Sequence, residues 1–347
     1  MNALREPAVW FPTVRTGTGT EVFTERMAEE LGKRGIRNEI TWLPLRAEYA
    51  PWTVPVPEPP EWATVAHVNT WLHPRFLPRR LPVVATIHHS MHHADVQPYK
   101  GFVRAAYHRW WIAPNERRVL RRADRVIAVS RFVAETARQF LLDVPMDVIY
   151  NGVDTNRYWY GGRQRRLGEP FRLLYVGGWK KLKGVDLLAP IMRELGDGFE
   201  LRYTGGPMAA RDHARMPSTM RDLGRLQGVD SVVAAMQDAD AFLFPSRSEG
   251  FPLALIEAMA CGLPVIATHG SSLAEAVEEA VSGILCTQGD ETAFVIACRQ
   301  IANDHALHAS MTTAARRRAV ECFSVDRMVA AYTDLYARMA KSTGGTP

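Results

Sequence analysis

Nowhere in this sequence do about twenty apolar residues follow one another, and that excludes a membrane-spanning helix. The first residues lack a basic-then-apolar signal pattern, so the expected location is the cytoplasm. Cysteine is scarce. Cys261, Cys286, Cys298 and Cys322 show no metal-type spacing and read as reduced, mostly packed thiols. No nucleic-acid-binding module is recognisable. The positive excess is small, a formal net charge of +5, which suits anionic ligands or membrane surfaces as well as nucleic acid and decides nothing alone.

What is present is a chain of 347 residues, 47% of them hydrophobic, which is too long for one small core and suits two domains. The first half alternates short apolar runs with helical patterns. Residues 8–11, 65–68, 83–87 and 125–129 read as buried strands, and Glu21 to Lys33 has helical periodicity that stops near Gly35. Prolines crowd the chain from Pro44 to Pro60, an extended loop within that half. Asp147 to Asp154 breaks the pattern, and Gly161 to Arg166 is polar and turn-rich, so a hinge is expected there. The second half restarts with a strand at 171–176 and continues with strands at 199–203, 241–244 and 264–267. Strand–helix alternation in both halves implies parallel, doubly wound sheets. The last helix, expected from Val325 to Met339, carries Met328, Val329, Tyr332, Leu335 and Tyr336 at core-packing spacing, and the tail from Ser342 is expected to be loose.

The most informative segment runs from Ser246 to Pro264. Glu249 and Glu257 have seven residues between them, and Gly250-Phe251-Pro252 follows the first. Apolar strands flank the segment on both sides, giving strand, turn, helix, strand. Pro252 suits the first helical turn, where a missing N–H costs nothing, and amides around Gly250 to Leu253 would favour an anion. Amides for a phosphate beside two hydroxyl-binding carboxylates point to a nucleotide-sugar site.

This segment resembles the Glu-x7-Glu signature of retaining glycosyltransferases of the GT-B fold, the family-4 type (glycosyl transferases group 1). The resemblance implies an α/β protein of two Rossmann-like doubly wound domains facing a cleft. The expected division is 1–155 for the acceptor, 156–325 for the nucleotide-sugar, and 326–347 as a helix returning to the first domain plus the tail. It also implies that Glu249 contacts sugar hydroxyls and that Glu257 holds the ribose.

Three further loops belong to the expected site. Thr16-Gly17-Thr18-Gly19-Thr20 follows the first strand, and its glycines let backbone approach a ligand. It is not a full dinucleotide fingerprint, because the third glycine position is Val22. The resemblance places this loop at the donor diphosphate. His88 ends the 83–87 strand. A histidine there serves packing as readily as function, and the resemblance implies a place near donor sugar and acceptor hydroxyl. Gly177 to Gly184 matches a family pattern in which an arginine and a lysine neutralise the leaving diphosphate. Lys183 fits that lysine. The arginine position is Gly178, and Lys180 or Lys181 is left as the source of a second charge. Gly205, in the turn Thr204 to Pro207, resembles the family's glycine turn near the nucleotide.

Asp238-Ala239-Asp240 mimics a metal-binding Asp-x-Asp but precedes a strand instead of following one, so no essential metal or cofactor is expected beyond a UDP- or GDP-linked sugar donor. The histidines from His88 to His93 lack the helix that would align them on zinc, and Asp95 is the one acidic neighbour. The basic, aromatic region Arg104–Arg125 reads as a solvated helix face or as a peripheral membrane contact. The expected partners are a nucleotide-sugar donor and a glycan or lipid-linked acceptor. The expected activity is metal-independent, retaining sugar transfer by front-face displacement in glycan, polysaccharide or glycolipid synthesis. A nucleotide-sugar epimerase on the same fold and a catalytically silent scaffold are the alternatives.

Overall fold

The computed structural model describes residues 6–163, 165–166 and 168–342. The tail after Ser342, Gln164 of the expected hinge and the side chain of Asp95 lie outside the described residues. The chain divides into two compact units. Unit 1 comprises the chain up to Asn151 and again from Asp326, and unit 2 is Gly152–Val325.

Unit 1 is built on a six-stranded sheet of order β2-β1-β3-β4-β5-β6: β1 (Val9–Val14), β2 (Asn38–Leu43), β3 (Val65–Asn69), β4 (Val83–Ile87), β5 (Arg125–Ala128) and β6 (Asp147–Val148). Unit 2 carries the order β12-β11-β10-β7-β8-β9: β7 (Phe171–Tyr175), β8 (Phe199–Tyr203), β9 (Met220–Asp222), β10 (Ala241–Phe244), β11 (Val265–Thr268) and β12 (Gly283–Cys286). Every pairing in both sheets is parallel. The central strands are buried apolar runs, as β4 (Val-Val-Ala-Thr-Ile) and β10 (Ala-Phe-Leu-Phe) show, because helices cover both faces of a parallel sheet.

The four strands absent from the sequence reading are β2, β6, β9 and β12, which are the four sheet edges. Edge strands face less core, so their pattern is mixed: β2 is mostly half-exposed and both residues of β6 are exposed. Asp147–Val148 therefore ends the first sheet where a break in the pattern was expected. The Pro44–Pro60 segment is also more ordered than an extended loop, with helical turns at Arg46–Tyr49 and Pro51–Thr53.

Helix Gly19–Lys33 buries Phe23, Met27 and Leu31 at four-residue spacing and ends before Gly35, whose φ is 73°. Helices Glu291–Asn303 and His305–Phe323 start on the caps Asp290 and Asp304, whose carboxylates accept from the amides of Ala293 and Leu307. The segments by which the chain enters and leaves unit 2 bond to each other: the Val153 amide donates to Phe323 O, and the Val325 amide to Val153 O, both at 2.8 Å. Among the described residues no helix is long and apolar enough to cross a membrane. The four cysteines are free, three of them buried.

Helix Val325–Ser342 is fastened to the sheet of unit 1 by a buried polar chain. His67 Nδ1 lies 2.6 Å from Tyr336 Oη, His67 Nε2 lies 2.7 Å from Thr86 Oγ1, and Tyr332 Oη lies 3.2 Å from the same hydroxyl. Burial, reinforced by nearby His88, pushes the His67 pKa down to about 3, so this imidazole is neutral. Above the usual histidine value of about 6.5 both folded and unfolded chains hold it neutral. Below that value the unfolded chain takes up a proton and the folded chain does not, so stability falls as pH falls. Burial lowers His88 in the same way, also to about 3. Urea unfolding between about pH 6 and pH 4 should therefore lose up to about 1.4 kcal/mol per pH unit for each of the two histidines. His67→Gln, which keeps hydrogen-bonding groups but cannot titrate, should remove one histidine's share of that slope. An unchanged slope would show that the folded protein accommodates the charged ring.

Candidate functional site

Parallel strands present all their C-terminal ends at one edge of the sheet, and ligands favour the point where strand order reverses. In unit 2 that point lies between β7 and its neighbours β8 and β10. The loops leaving these three strands hold Gly177 to Gly184, Gly205 and Ser246 to Pro252.

The loop after β7 passes through a short turn, Lys181–Lys183, into helix Val185–Leu195. Its pivot is Gly184, with φ 72°, where a Cβ would stand 2.0 Å from the carbonyl oxygen of Pro245. Only glycine fits, and that close approach locks the β7 loop to the β10 loop. Across this contact Lys183 Nζ donates to both carboxylate oxygens of Glu249, each at 2.7 Å. Ser246 Oγ adds a third bond to Glu249 Oε1, also at 2.7 Å. The Glu249 side chain is 7% exposed and that of Lys183 is 27% exposed. A carboxylate this enclosed needs a cation and hydrogen bonds to remain charged, and it has both. The backbone of Glu249 is held as well. Its amide donates to Ser271 Oγ at 3.3 Å, and its carbonyl accepts from Ser272 Oγ at 3.2 Å. Arg247 seals the outside with a two-pronged bond to Asp186 at 2.6 and 2.9 Å.

Glu257 lies in the second turn of helix Leu253–Ala260 and is buried. Pro252 precedes this helix as its cap, with ψ 125°, one place earlier than the first helical position expected. Phe251 is buried, with its ring 5.1 Å from that of Phe323, whereas Leu253 is half-buried at the helix start. Gly250, just before Phe251, is buried as well. Gly177 donates its amide to Thr204 Oγ1 at 3.0 Å, tying the β7 loop to the turn after β8. In that turn the amides of Gly205, Gly206 and Gly224 all donate to Asp222, at 3.0, 3.0 and 2.7 Å. Burial opposes the charge on Asp222, but these three amides and His213 outweigh it and hold the carboxyl below its usual range. Gly178 is exposed, and a Cβ there would meet nothing within 4 Å. Lys180 and Lys181 are exposed too.

In unit 1 a cavity of about 380 Å³ opens at the strand ends of β1, β3 and β4. Thr16, Thr18 and Thr20 line one wall, with Gly17 and Gly19 between them, and His88 lines another. The threonine hydroxyls form a ladder, 2.8 Å from Thr16 to Thr18 and 2.9 Å from Thr18 to Thr20. The amides of Thr16 and Gly17 are already bonded, to Glu21 Oε2 at 3.0 and 2.8 Å. His88 packs edge-on against Phe23 at 4.6 Å, and its neutral ring offers hydrogen bonding instead of charge. Glu48 also lines this cavity, takes a bond from Tyr107 Oη at 3.2 Å, and has its pKa raised by burial.

Two family profiles match the chain: "Glycosyltransferase Family 4" over residues 60–157 and "Glycosyl transferases group 1" over residues 170–304. The chain belongs to the group 1 glycosyltransferases of the GT-B fold. It is similar to glycogen synthase of Mycobacterium tuberculosis, 29% identical over 289 residues that span 78% of this chain and 68% of that one. Its fold is similar to that of sucrose-phosphate synthase from Thermosynechococcus elongatus, with a TM-score of 0.78 at 18% identity over 97% of this chain and all (100%) of that one. It is also similar to Anabaena HepE, solved with UDP and glucose, with a TM-score of 0.72 at 17% identity over 96% of this chain and 100% of that one.

For this glycosyltransferase the sequence placed Lys183 and Glu249 on separate loops, and the fold joins them directly. It missed Ser246, Ser271, Ser272 and Asp222, which hold those loops, because isolated serines and aspartates carry no spacing signal. It also missed Glu48, hidden in the proline-rich segment. Replacing Gly184 by alanine should cost about 3 kcal/mol of unfolding free energy, through strained backbone and the overlap with Pro245. Gly178→Arg, which points into open space, should stay within about 0.5 kcal/mol of the parent. Denaturant melts of both variants check the pair, and equal melts would remove the locking role given to Gly184.

Proposed function

We propose that this glycosyltransferase moves a sugar from a nucleoside-diphosphate sugar to an acceptor hydroxyl with retention of anomeric configuration and without an essential metal. The observation that carries the reading is the ammonium of Lys183 held on both oxygens of Glu249, with Glu257 in the following helix. Breaking a glycosyl–phosphate bond builds negative charge on the diphosphate and an oxocarbenium-like sugar. Lys183 neutralises the departing diphosphate, together with the Gly17–Gly19 loop. Glu249 accepts hydrogen bonds from sugar hydroxyls and Glu257 from the ribose. His88, neutral, positions the sugar or the acceptor hydroxyl. The acceptor oxygen bonds to the anomeric carbon on the face the phosphate leaves, and its proton passes to the departing phosphate oxygen.

The Asp238–Asp240 pair supports metal independence by being occupied. Asp238 is paired with Arg172 and Arg202, and Asp240 is paired with Arg163 and accepts from the Arg172 amide. A uridine donor is the first to try, since HepE was solved with UDP and with UDP-glucose. The product serves glycan, polysaccharide or glycolipid synthesis.

Thermal unfolding with UDP, GDP, ADP and CDP, with and without EDTA, tests the site. One diphosphate should stabilise the protein regardless of chelator, and Glu257→Ala should lose most of that shift. Glu249→Ala should fold and yet lose about 100- to 1,000-fold in turnover, the scale of one transition-state contact. Full activity in Glu249→Ala, or a shift that vanishes with EDTA, would overturn the reading. Product formed without an acceptor would convert it to an epimerase.

A further inference from the structure

We propose that a cavity at the other edge of the unit 1 sheet, where β4 and β5 begin, binds a compact, soluble, multiply charged phosphate anion. The cavity measures about 580 Å³ and is lined by the 79–82 loop, the start of β5 and the last turns of helix Val325–Ser342. It shares no lining residue with the cavity at His88. The whole of β4 lies between them, roughly 16 Å for its five residues of strand. Arg79 and Arg80 reach the cavity from the loop, Arg125 from β5 and Arg338 from the helix. All four are exposed, and none of their guanidiniums has a hydrogen bond or ion pair among the described residues. Among those residues Asp124 is the one carboxylate in the lining, and it is already engaged. Its Oδ2 accepts from the Val83 amide at 2.8 Å and from Arg122 at 3.3 Å.

Four like charges brought to one hollow repel one another, and a bound anion turns that repulsion into attraction. The elements that carry them are held in place beforehand. Arg122 donates to Pro78 O at 2.9 Å and to Leu81 O at 3.1 Å, which fixes the loop bearing Arg79 and Arg80. The helix is fixed two positions before Arg338, where Tyr336 meets His67. A site assembled before its ligand arrives loses little entropy on binding. Charge and shape then define the ligand. A monovalent ion leaves most of the charge uncompensated. A carboxylate brings one charge and two oxygens in a plane, whereas a terminal phosphate brings up to two charges and three oxygens that accept guanidinium forks from several directions. The volume falls within the range of small-molecule sites. A bilayer or a protein partner would look for an apolar anchor, and the lining offers only half-buried Leu81 and Pro82 and buried Met339. The bound anion ties Arg338 to the sheet and so fastens the terminal helix a second time, beside His67.

The test is titration calorimetry of the intact chain with inorganic diphosphate at fixed ionic strength, with thermal unfolding alongside. Arg338→Gln and Arg125→Gln should each weaken one binding event roughly tenfold, the scale of one hydrogen bond to a charged group. Arg79→Gln and Arg80→Gln together should weaken it further. Diphosphate should raise the unfolding temperature of the parent more than that of Arg338→Gln. Without the anion the variants should unfold no earlier than the parent, because each loses a repelling charge. Any diphosphate taken up in unit 2 is common to parent and variants, so their difference reads this cavity alone and stands or falls separately from the proposed reaction. Parent-like binding by all the variants, or chloride and sulfate competing as well as diphosphate, would overturn the proposal. So would pelleting of the parent with phosphatidylglycerol vesicles that Arg338→Gln abolishes, which would assign the arginines to a lipid headgroup.

Discussion

Unit 2 depends on one ion pair. A carboxylate placed almost out of water, as Glu249 is, stays charged only if a cation and hydrogen bonds replace its hydration. Lys183 and Ser246 provide them, and everything around the pair keeps those donors in place. Gly184 has no side chain so that the Pro245 carbonyl can pass, Arg247 clamps Asp186, and two serines hold the Glu249 backbone. The two loops come from β7 and β10, adjacent strands at the reversal of strand order. Fold topology thus brings the charges together, and local packing sets their separation.

Unit 1 solves a different electrostatic problem. Its interior holds imidazoles instead of ion pairs, and burial keeps His67, His88 and His108 neutral, the last with its pKa lowered to about 4. His67 acts as a neutral hydrogen-bonding bridge between the sheet and the terminal helix, a role a lysine could not fill without a buried counter-charge. Glu30, paired with Lys33 and Arg34, is one exception, and Glu116 is another. It is 1% exposed and is held by Thr70 Oγ1 at 2.7 Å and His92 Nε2 at 2.9 Å. Those partners follow the ends of β3 and β4, so this carboxylate braces the floor beside the His88 cavity.

How much was legible follows from where each residue sits. β4 and β10 are inner strands whose apolar runs gave their boundaries directly, and β8 showed through its strict alternation, Phe-Glu-Leu-Arg-Tyr. The edge strands did not show, because an edge spends half its side chains on water and loses the apolar signature. The Glu249–Glu257 spacing was legible because strand, turn and helix fix both residues within one short segment. Glu48 was not, since it reaches its cavity through contacts with Tyr107 and Trp111 that lie about sixty positions on (sequence separations of 59 and 63). Phe251 also packs. It stands inside the motif, yet its ring is spent on Phe323.

The glycine loop after β1 has a resident occupant. Glu21 Oε2 holds the amides of Thr16 and Gly17, the groups that an incoming anion would seek. Because Glu21 is tethered only a few positions away, it competes at a fixed, high effective concentration that dilution of the protein does not lower. Any ligand taken there is therefore selected against an internal reference carboxylate. Under the proposed reaction, the donor diphosphate would have to displace this one side chain before it reached those two amides.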